Sequence, residues 1–317
     1  ELAWRDPIVL QIKNEDGYRE RLEFQDTDYE PIKGMRESLE AYQAVLDNSY
    51  IDIADADNHY IQRTKWNRKA HRHENYTVQI AGNKRVERIF YRGDWSLGGR
   101  FHGGFWQRVG KHYRKNILID DCETVELDYS GMHVSLCYGI IQKEAPEGDL
   151  YAIDLKEVQG KKITRDWVKT LMLMALNAPD EHKAYRSFRY TFPSGDFGKN
   201  LTNKSLKQIM AAIKERHPEL EEFFFSDKGV ELMKTDGNIS AYVIDHFTNK
   251  GVPILSVHDS YIVKRENENE LREVMVEAAQ KLANSTITVD VEFVHLDQIA
   301  YFASYDRFQP YIRQLYG

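Results

Sequence analysis

Hydrophobic positions along this chain switch between a period of two and a period of three to four, and the switches predict its elements. Residues 7–13 (PIVLQIK) predict a strand, and residues 33–48 a helix with Leu39, Tyr42, Val45 and Leu46 on or near one face. Residues 76–91 alternate in part around Gly82-Asn83, which predicts a hairpin. Residues 123–130 (ETVELDYS) form a strand with Val125 and Leu127 alternating against acids, and a helix follows from Met132 to Gln142. Thr164 opens a helix that runs to Asn177 and is ended by Pro179. Residues 185–192 (YRSFRYTF) read equally as a stretch facing nucleic acid or as a half-buried strand. Helices are expected over 202–215 and 236–249, the second closed by Gly251-Val252-Pro253. A strand at 253–258, a turn at Asp259-Ser260 and a strand at 261–264 make a hairpin whose tip carries an aspartate. A helix at 267–284 and a strand at 286–294 complete the core. Helices and strands mixed with hairpins indicate an α+β protein with a mostly antiparallel sheet.

Composition narrows the class. The chain has 317 residues, 42% apolar and 29% charged, with no run long enough to span a bilayer, as expected of a globular chain outside the membrane. No repeat, low-complexity tract or linker marks a domain boundary. The start, Glu1-Leu2-Ala3, has neither an initiator Met nor a signal pattern, which suggests a segment of a longer protein. Two cysteines, Cys122 and Cys137, have no metal-like spacing, and their scarcity favours a reducing, cytoplasmic setting. Net charge is −7, yet cations are concentrated. Residues 63–73 hold Arg63, Lys65, Arg68, Lys69, Arg72, His71 and His73 and no acid, and residues 98–115 interleave five Arg/Lys with Phe101, Phe105, Trp106 and Tyr113. Such mixtures suit phosphates and stacked bases, with a solvated charged face as the bland alternative. The tail from Tyr301 to Gly317, rich in Tyr and Phe, is expected to pack on the body or on a partner chain.

The chemistry resides in two aspartates and one helix. Asp128 lies near a strand end and Asp259 at a hairpin tip. Two carboxylates brought together repel unless cations neutralise them, and Mg²⁺ is bound by such pairs with water and substrate phosphates completing its shell. Arg165, Lys169, Leu173 and Asn177 recur every four residues and share one helical stripe. An arginine there could clamp phosphate, while the lysine acts as a point charge or as proton donor to leaving pyrophosphate.

In order, Ser96-x2-Gly99-Arg100, Asp128-Tyr129-Ser130, Arg165-x3-Lys169-x3-Leu173-x3-Asn177-Ala178 and Val257-His258-Asp259-Ser260 resemble the TxxGR motif and motifs A, B and C of family A DNA polymerases and the single-subunit RNA polymerases of phages and mitochondria. Lys234-Thr235-Asp236-Gly237 weakly resembles a further element before motif C. The resemblance covers residues 96–264 and describes a reduced member of that superfamily. It implies a right-hand palm with a helical fingers subdomain. Residues 1–75 would be a helical, basic region, thumb-like or template-binding. The first palm segment, with motif A, would occupy 76–160, and the fingers with motif B 161–235. The second palm segment, with motif C and the tail, would occupy 236–317.

The resemblance also implies roles. Asp128 and Asp259 would bind two Mg²⁺ ions, with Mn²⁺ as a substitute. Arg165 and Lys169 would meet the incoming triphosphate, and Tyr129, Ser130, His133 and Asn177 would line the nucleotide site. Arg100 would contact template or primer, His258 would support the primer terminus, and Arg63, Lys65, Arg68, Lys69 and Arg72 would hold nucleic acid. Expected partners are a DNA template, nucleoside triphosphates, nascent RNA or DNA and a protein subunit.

Departures from the pattern bear on the substrate. Asn177-Ala178 stands where relatives have Tyr-Gly, and His133 where the DNA polymerases place the Glu that excludes a ribose 2′-OH. Motif C ends in Asp-Ser, as in RNA polymerases, whereas motif A is written as the DNA polymerases have it. The favoured expectation is a minimal RNA polymerase or primase-like enzyme. The alternatives are a reduced DNA polymerase or terminal transferase, a catalytically silent nucleic-acid binder and, more weakly, a two-metal nuclease.

Overall fold

The computed structural model describes residues 6–54, 59–67 and 72–292. Arg68, Lys69, His71 and the aromatic tail from Tyr301 lie outside the described residues. In chain order the elements are β1 (Ile8–Lys13), β2 (Arg19–Leu22), α1 (Ile32–Asp47), β3 (Ile51–Ile53), β4 (Tyr60–Asn67), β5 (Arg72–Gln79), β6 (Val86–Tyr91) and β7 (Asp94–Gly103). Next come α2 (Lys111–Arg114), β8 (Ile117–Ile119), β9 (Cys122–Tyr129), α3 (Met132–Ile140), β10 (Glu157–Val158), β11 (Lys161–Lys162), α4 (Arg165–Asn177), α5 (Glu181–Thr191) and α6 (Asn203–Arg216). The described residues finish with α7 (Gly229–Thr248), β12 (Leu255–Val257), β13 (Ser260–Lys264), α8 (Glu268–Ala283) and β14 (Val289–Glu292). No helix among the described residues is long and apolar enough to cross a membrane.

Two compact units result. The first comprises the described parts of Glu1–Ser130, Asp236–Ala278 and Thr288–Gly317. Its main sheet has the order β12-β13-β9-β8-β3, with β14 on the other edge of β9. Every pairing in it is antiparallel. The alternation of 123–130 explains the placement: Val125 and Leu127 are buried beneath β9, and Glu126 and Asp128 project from the opposite face. A second sheet, β2-β1-β6-β7, contains the one parallel pair among the described residues, β1 with β6. Helix α1 buries Ile32, Leu39, Tyr42 and Leu46, and the Tyr42 hydroxyl donates to the Ile254 carbonyl at 2.6 Å.

The second unit comprises Gly131–Thr235 and Ala279–Ile287 and is helical apart from the small β10–β11 hairpin. Leu171, Leu176, Tyr185, Phe188, Ile209 and Ile213 form its core. Gly139 lies so close to the Ala283 carbonyl that a Cβ would sit 2.1 Å from its oxygen.

Three expectations are corrected. Residues 76–91 are not a hairpin: β5 pairs back with β4, while β6 pairs with β1 and β7. Residues 185–192 are not a strand. Residues 185–191 belong to α5 and Phe192 is its C-cap; Asp180 caps the other end by accepting from the Lys183 N–H at 2.7 Å. The region 1–75 is not mainly helical, since it holds β1 to β4, the start of β5 and one helix.

Candidate active site

The first unit brings the two aspartates to one end of its main sheet. In register, Ser260 of β13 and Asp290 of β14 both face Asp128 of β9, one from each side. Residues directly opposite in an antiparallel pair project to the same face, so Asp128 and Asp290 share it. Asp259 is the second residue of the two-residue turn between β12 and β13. The first, His258, has φ 60°, a left-handed conformation that hairpin turns usually give to glycine. The turn is tied to β9 by the backbone: the Tyr129 N–H donates to the Asp259 carbonyl at 3.3 Å.

Below this end, a buried polar network fixes β13 on β9. The Ser260 hydroxyl donates to Glu126 Oε1 at 2.7 Å, and the Arg114 guanidinium grips both Glu126 oxygens at 3.0 Å. Ser260 therefore has a partner within the fold. Tyr129 projects to the other face, where its hydroxyl donates to the Met275 carbonyl at 2.5 Å. It is a core residue here, not a residue of the aspartate face. Ser130 holds the end of the strand, its N–H donating to the Thr288 carbonyl at 2.8 Å.

The glycine pair of Gly98-Gly99-Arg100 makes a bulge. Gly98 and Gly99 take φ of 82° and 86°, and the β6–β7 register slips beside them. The bulge points Arg100 at Asp236 of α7, with which it forms a tight ion pair. A Cβ at Gly237 would lie 2.2 Å from the Gly99 carbonyl oxygen, so glycine permits this approach. Arg88 braces the same point, donating to the Gly99 carbonyl at 2.9 Å and to Asn238 Oδ1 at 2.8 Å. Burial pushes Asp236 up to about 6, against the pull of Arg100 and with a further push from Asp259. Two residues beyond Arg100, His102 meets the Tyr91 hydroxyl at 3.0 Å, and its ring centroid is 5.7 Å from that of His258. Burial, His258 and Arg100 hold His102 down to about 4, so this imidazole is neutral at physiological pH.

The second unit carries the cationic stripe. Thr164 caps α4 by accepting from the Trp167 N–H at 3.2 Å, and Arg165 and Lys169 are exposed. Asp149 takes the Arg165 guanidinium through two bonds of 2.7 and 2.8 Å, which hold its carboxyl below the usual range. Arg165 and Lys169 lie 4.9 and 5.9 Å over the ring of buried Tyr151. Asn177 turns back on its own helix, donating to the Leu173 carbonyl at 2.7 Å, and is packed tightly against Gly229. His133 is buried on α3.

Among the described residues, no group of three or more His, Cys, Asp or Glu side chains is arranged to hold a metal ion. Asp128 and Asp259 nevertheless suit Mg²⁺, which needs one or two carboxylates and takes its other ligands from water and phosphate. Sequence reasoning passed over Asp290 and gave Asp236 only a weak resemblance. Asp290 could have been found: in TITVDVEFV, acids alternate with branched apolar residues just as they do in β9.

No protein-family model matches the chain, and no curated protein matches it. Among solved structures it is similar to the POL domain of Pol1 from M. smegmatis, a complex with DNA primer-template and dNTP, at 11% identity and a TM-score of 0.41. The match covers 61% of this chain and 45% of that one, so the chain spans less than half the length of the matched structure.

Proposed function

We propose that this chain is a template-directed nucleotidyltransferase that takes ribonucleotides, using Asp128 and Asp259 to hold two divalent ions. The observation that carries this reading is the tie between Tyr129 and Asp259, which keeps the two carboxylate-bearing elements together at one sheet end. The ordered motifs support it, because a mere binder needs neither an acidic pair nor a triphosphate-gripping stripe.

In the reaction, the 3′ oxygen of the growing strand attacks the α-phosphorus of the nucleotide and pyrophosphate leaves. Bound at Asp128 and Asp259, Mg²⁺ or Mn²⁺ would supply charge stabilisation to the attacking and leaving oxygens. Arg165 would orient the triphosphate bidentately, and Lys169 would protonate the departing pyrophosphate. Arg100, aimed by the bulge and held by Asp236, would contact the template or primer, with His258 beside the primer end. His133 in the steric-gate position and Ser260 after Asp259 favour ribose. The second reading, a reduced DNA polymerase, rests on Asp128-Tyr129-Ser130.

The test crosses NTPs with dNTPs on primed and unprimed templates in Mg²⁺ or Mn²⁺. Extension with NTPs is expected. Extension with dNTPs alone would transfer the proposal to the second reading, and none with either would leave a silent binder.

A further inference from the structure

Strands β4 and β5 pair over eight rungs and form a two-stranded sheet of their own. The ribbon is rooted by a single buried rung, Ile61 opposite Val78, with Ile80 beneath it. Beyond that rung every side chain with a described environment is half-buried or exposed. A free two-stranded ribbon is marginal in water, so one that buries so little is better explained by a partner than by its own stability.

Register sorts the side chains. Arg63, Lys65 and Arg72 fall on one face with Tyr76 and Glu74. Arg63 donates to the Arg108 carbonyl at 2.6 Å, which anchors the ribbon beside the basic turn that opens α2. Lys65 lies 5.5 Å over the Tyr76 ring. The other face has no Lys, Arg, Asp or Glu and bears hydrogen-bonding rungs: Gln62 donates to Thr77 Oγ1 and Thr64 to Asn75 Oδ1, both at 2.9 Å. In a chain of net charge −7, the described residues of the ribbon place Arg63, Lys65 and Arg72 against the single acid Glu74.

We propose that the β4–β5 ribbon is an arm that grips a nucleic-acid duplex by its phosphates. The charge selects a polyanion. The shape selects a duplex, since a two-stranded ribbon fits the major groove and eight residues reach about 26 Å, most of one helical turn. The amide and hydroxyl face then offers donors and acceptors to base edges. The proposal deepens the nucleotidyl-transfer reading by naming what holds its double-stranded template, and it rests on that reading only for the source of the duplex.

The experiment measures anisotropy of a labelled 20-bp duplex (roughly two turns) and of either single strand with the full chain across a salt series. It compares wild type with Lys65→Ala/Arg72→Ala, and with Lys65→Glu/Arg72→Glu as a second variant. Both positions are exposed, and circular dichroism checks the fold. The expected result is weaker duplex binding, with the slope of log K against log salt reduced by about two, one for each phosphate no longer neutralised. An unchanged slope and affinity, or single strands bound more tightly than duplex, would overturn the proposal. Normal extension with an unchanged slope removes the arm and spares the polymerase reading. A reduced slope without extension does the reverse.

Discussion

The backbone N–H of Tyr129 donates to the carbonyl of Asp259 at 3.3 Å, so the residue that follows one aspartate holds the peptide of the other. The relative position of the two carboxylate-bearing elements is thereby set in part by main chain, beside the Ser260–Glu126–Arg114 network that also ties β13 to β9.

The main-chain tie does not involve the aspartate side chains, so it survives their removal, and circular dichroism checks the fold of each variant. Asp128→Ala or Asp259→Ala is expected to lower nucleotide incorporation by about 10²–10³-fold, the equivalent of a few kcal/mol of lost charge stabilisation. Duplex affinity should persist in both. Mg²⁺ should raise the melting temperature of the wild type and not of the variants. Incorporation surviving in both variants would dismiss this site.

Asp149 occupies the Arg165 guanidinium as a phosphate would, through two parallel bonds. Both side chains are partly exposed, so the pair is worth about 0.2–1 kcal/mol. Asp149→Ala should therefore tighten nucleotide binding by up to about fivefold, read as a lower KM. A raised KM would mean that Asp149 orients Arg165 instead of competing for it.

Glu126 and Arg114 are 6% and 16% exposed at their side chains, and Glu126 also receives the Ser260 hydroxyl. Glu126→Ala strands a half-buried guanidinium and should cost about 3 kcal/mol, the low end for a broken buried pair, in urea denaturation. Replacing both partners with apolar residues should recover most of the loss. If the single variant costs no more than the double, the pair contributes little.

His217 is fully buried, with Nδ1 2.9 Å from the Tyr138 hydroxyl and Nε2 2.8 Å from the Leu150 carbonyl. Burial holds its pKa below the usual 6.5, so below that pH the unfolded chain takes up a proton that the folded one refuses. Stability should fall as pH drops through the sixes, by at most about 1.4 kcal/mol per pH unit from this group. His102 adds an effect of the same sign, so the measure is the difference between wild type and His217→Gln, whose stability should vary less with pH. Equal slopes would show that His217 protonates in place.

Much of this was legible wherever a signal is local. The Thr164 cap, the Pro179 stop and the alternation of β9 each lie within a few residues, and the corresponding elements stand where the pattern puts them. Pairing is not local. Gly82-Asn83 looks like a hairpin turn, yet β6 finds its neighbours in β1 and β7, because partners are chosen by burial across the whole sheet. Residues 185–192 carry aromatic and cationic residues that suit either period, and the deciding Asp180 cap lies upstream. The partners of Arg100 and Arg165 come from distant segments, and only folding reveals that both cations are engaged by carboxylates.

The order of the strands has a consequence for synthesis. Strand β9 sits between β13 and β14, whose facing residues Ser260 and Asp290 emerge roughly 130 and 160 residues after Asp128, on the order of ten seconds later at ribosomal rates. Until then β9 can pair only with β8. The nascent chain therefore carries an open β edge beside its aspartate while the whole helical unit is being made, and during that interval a chaperone or the wrong strand could reach it first.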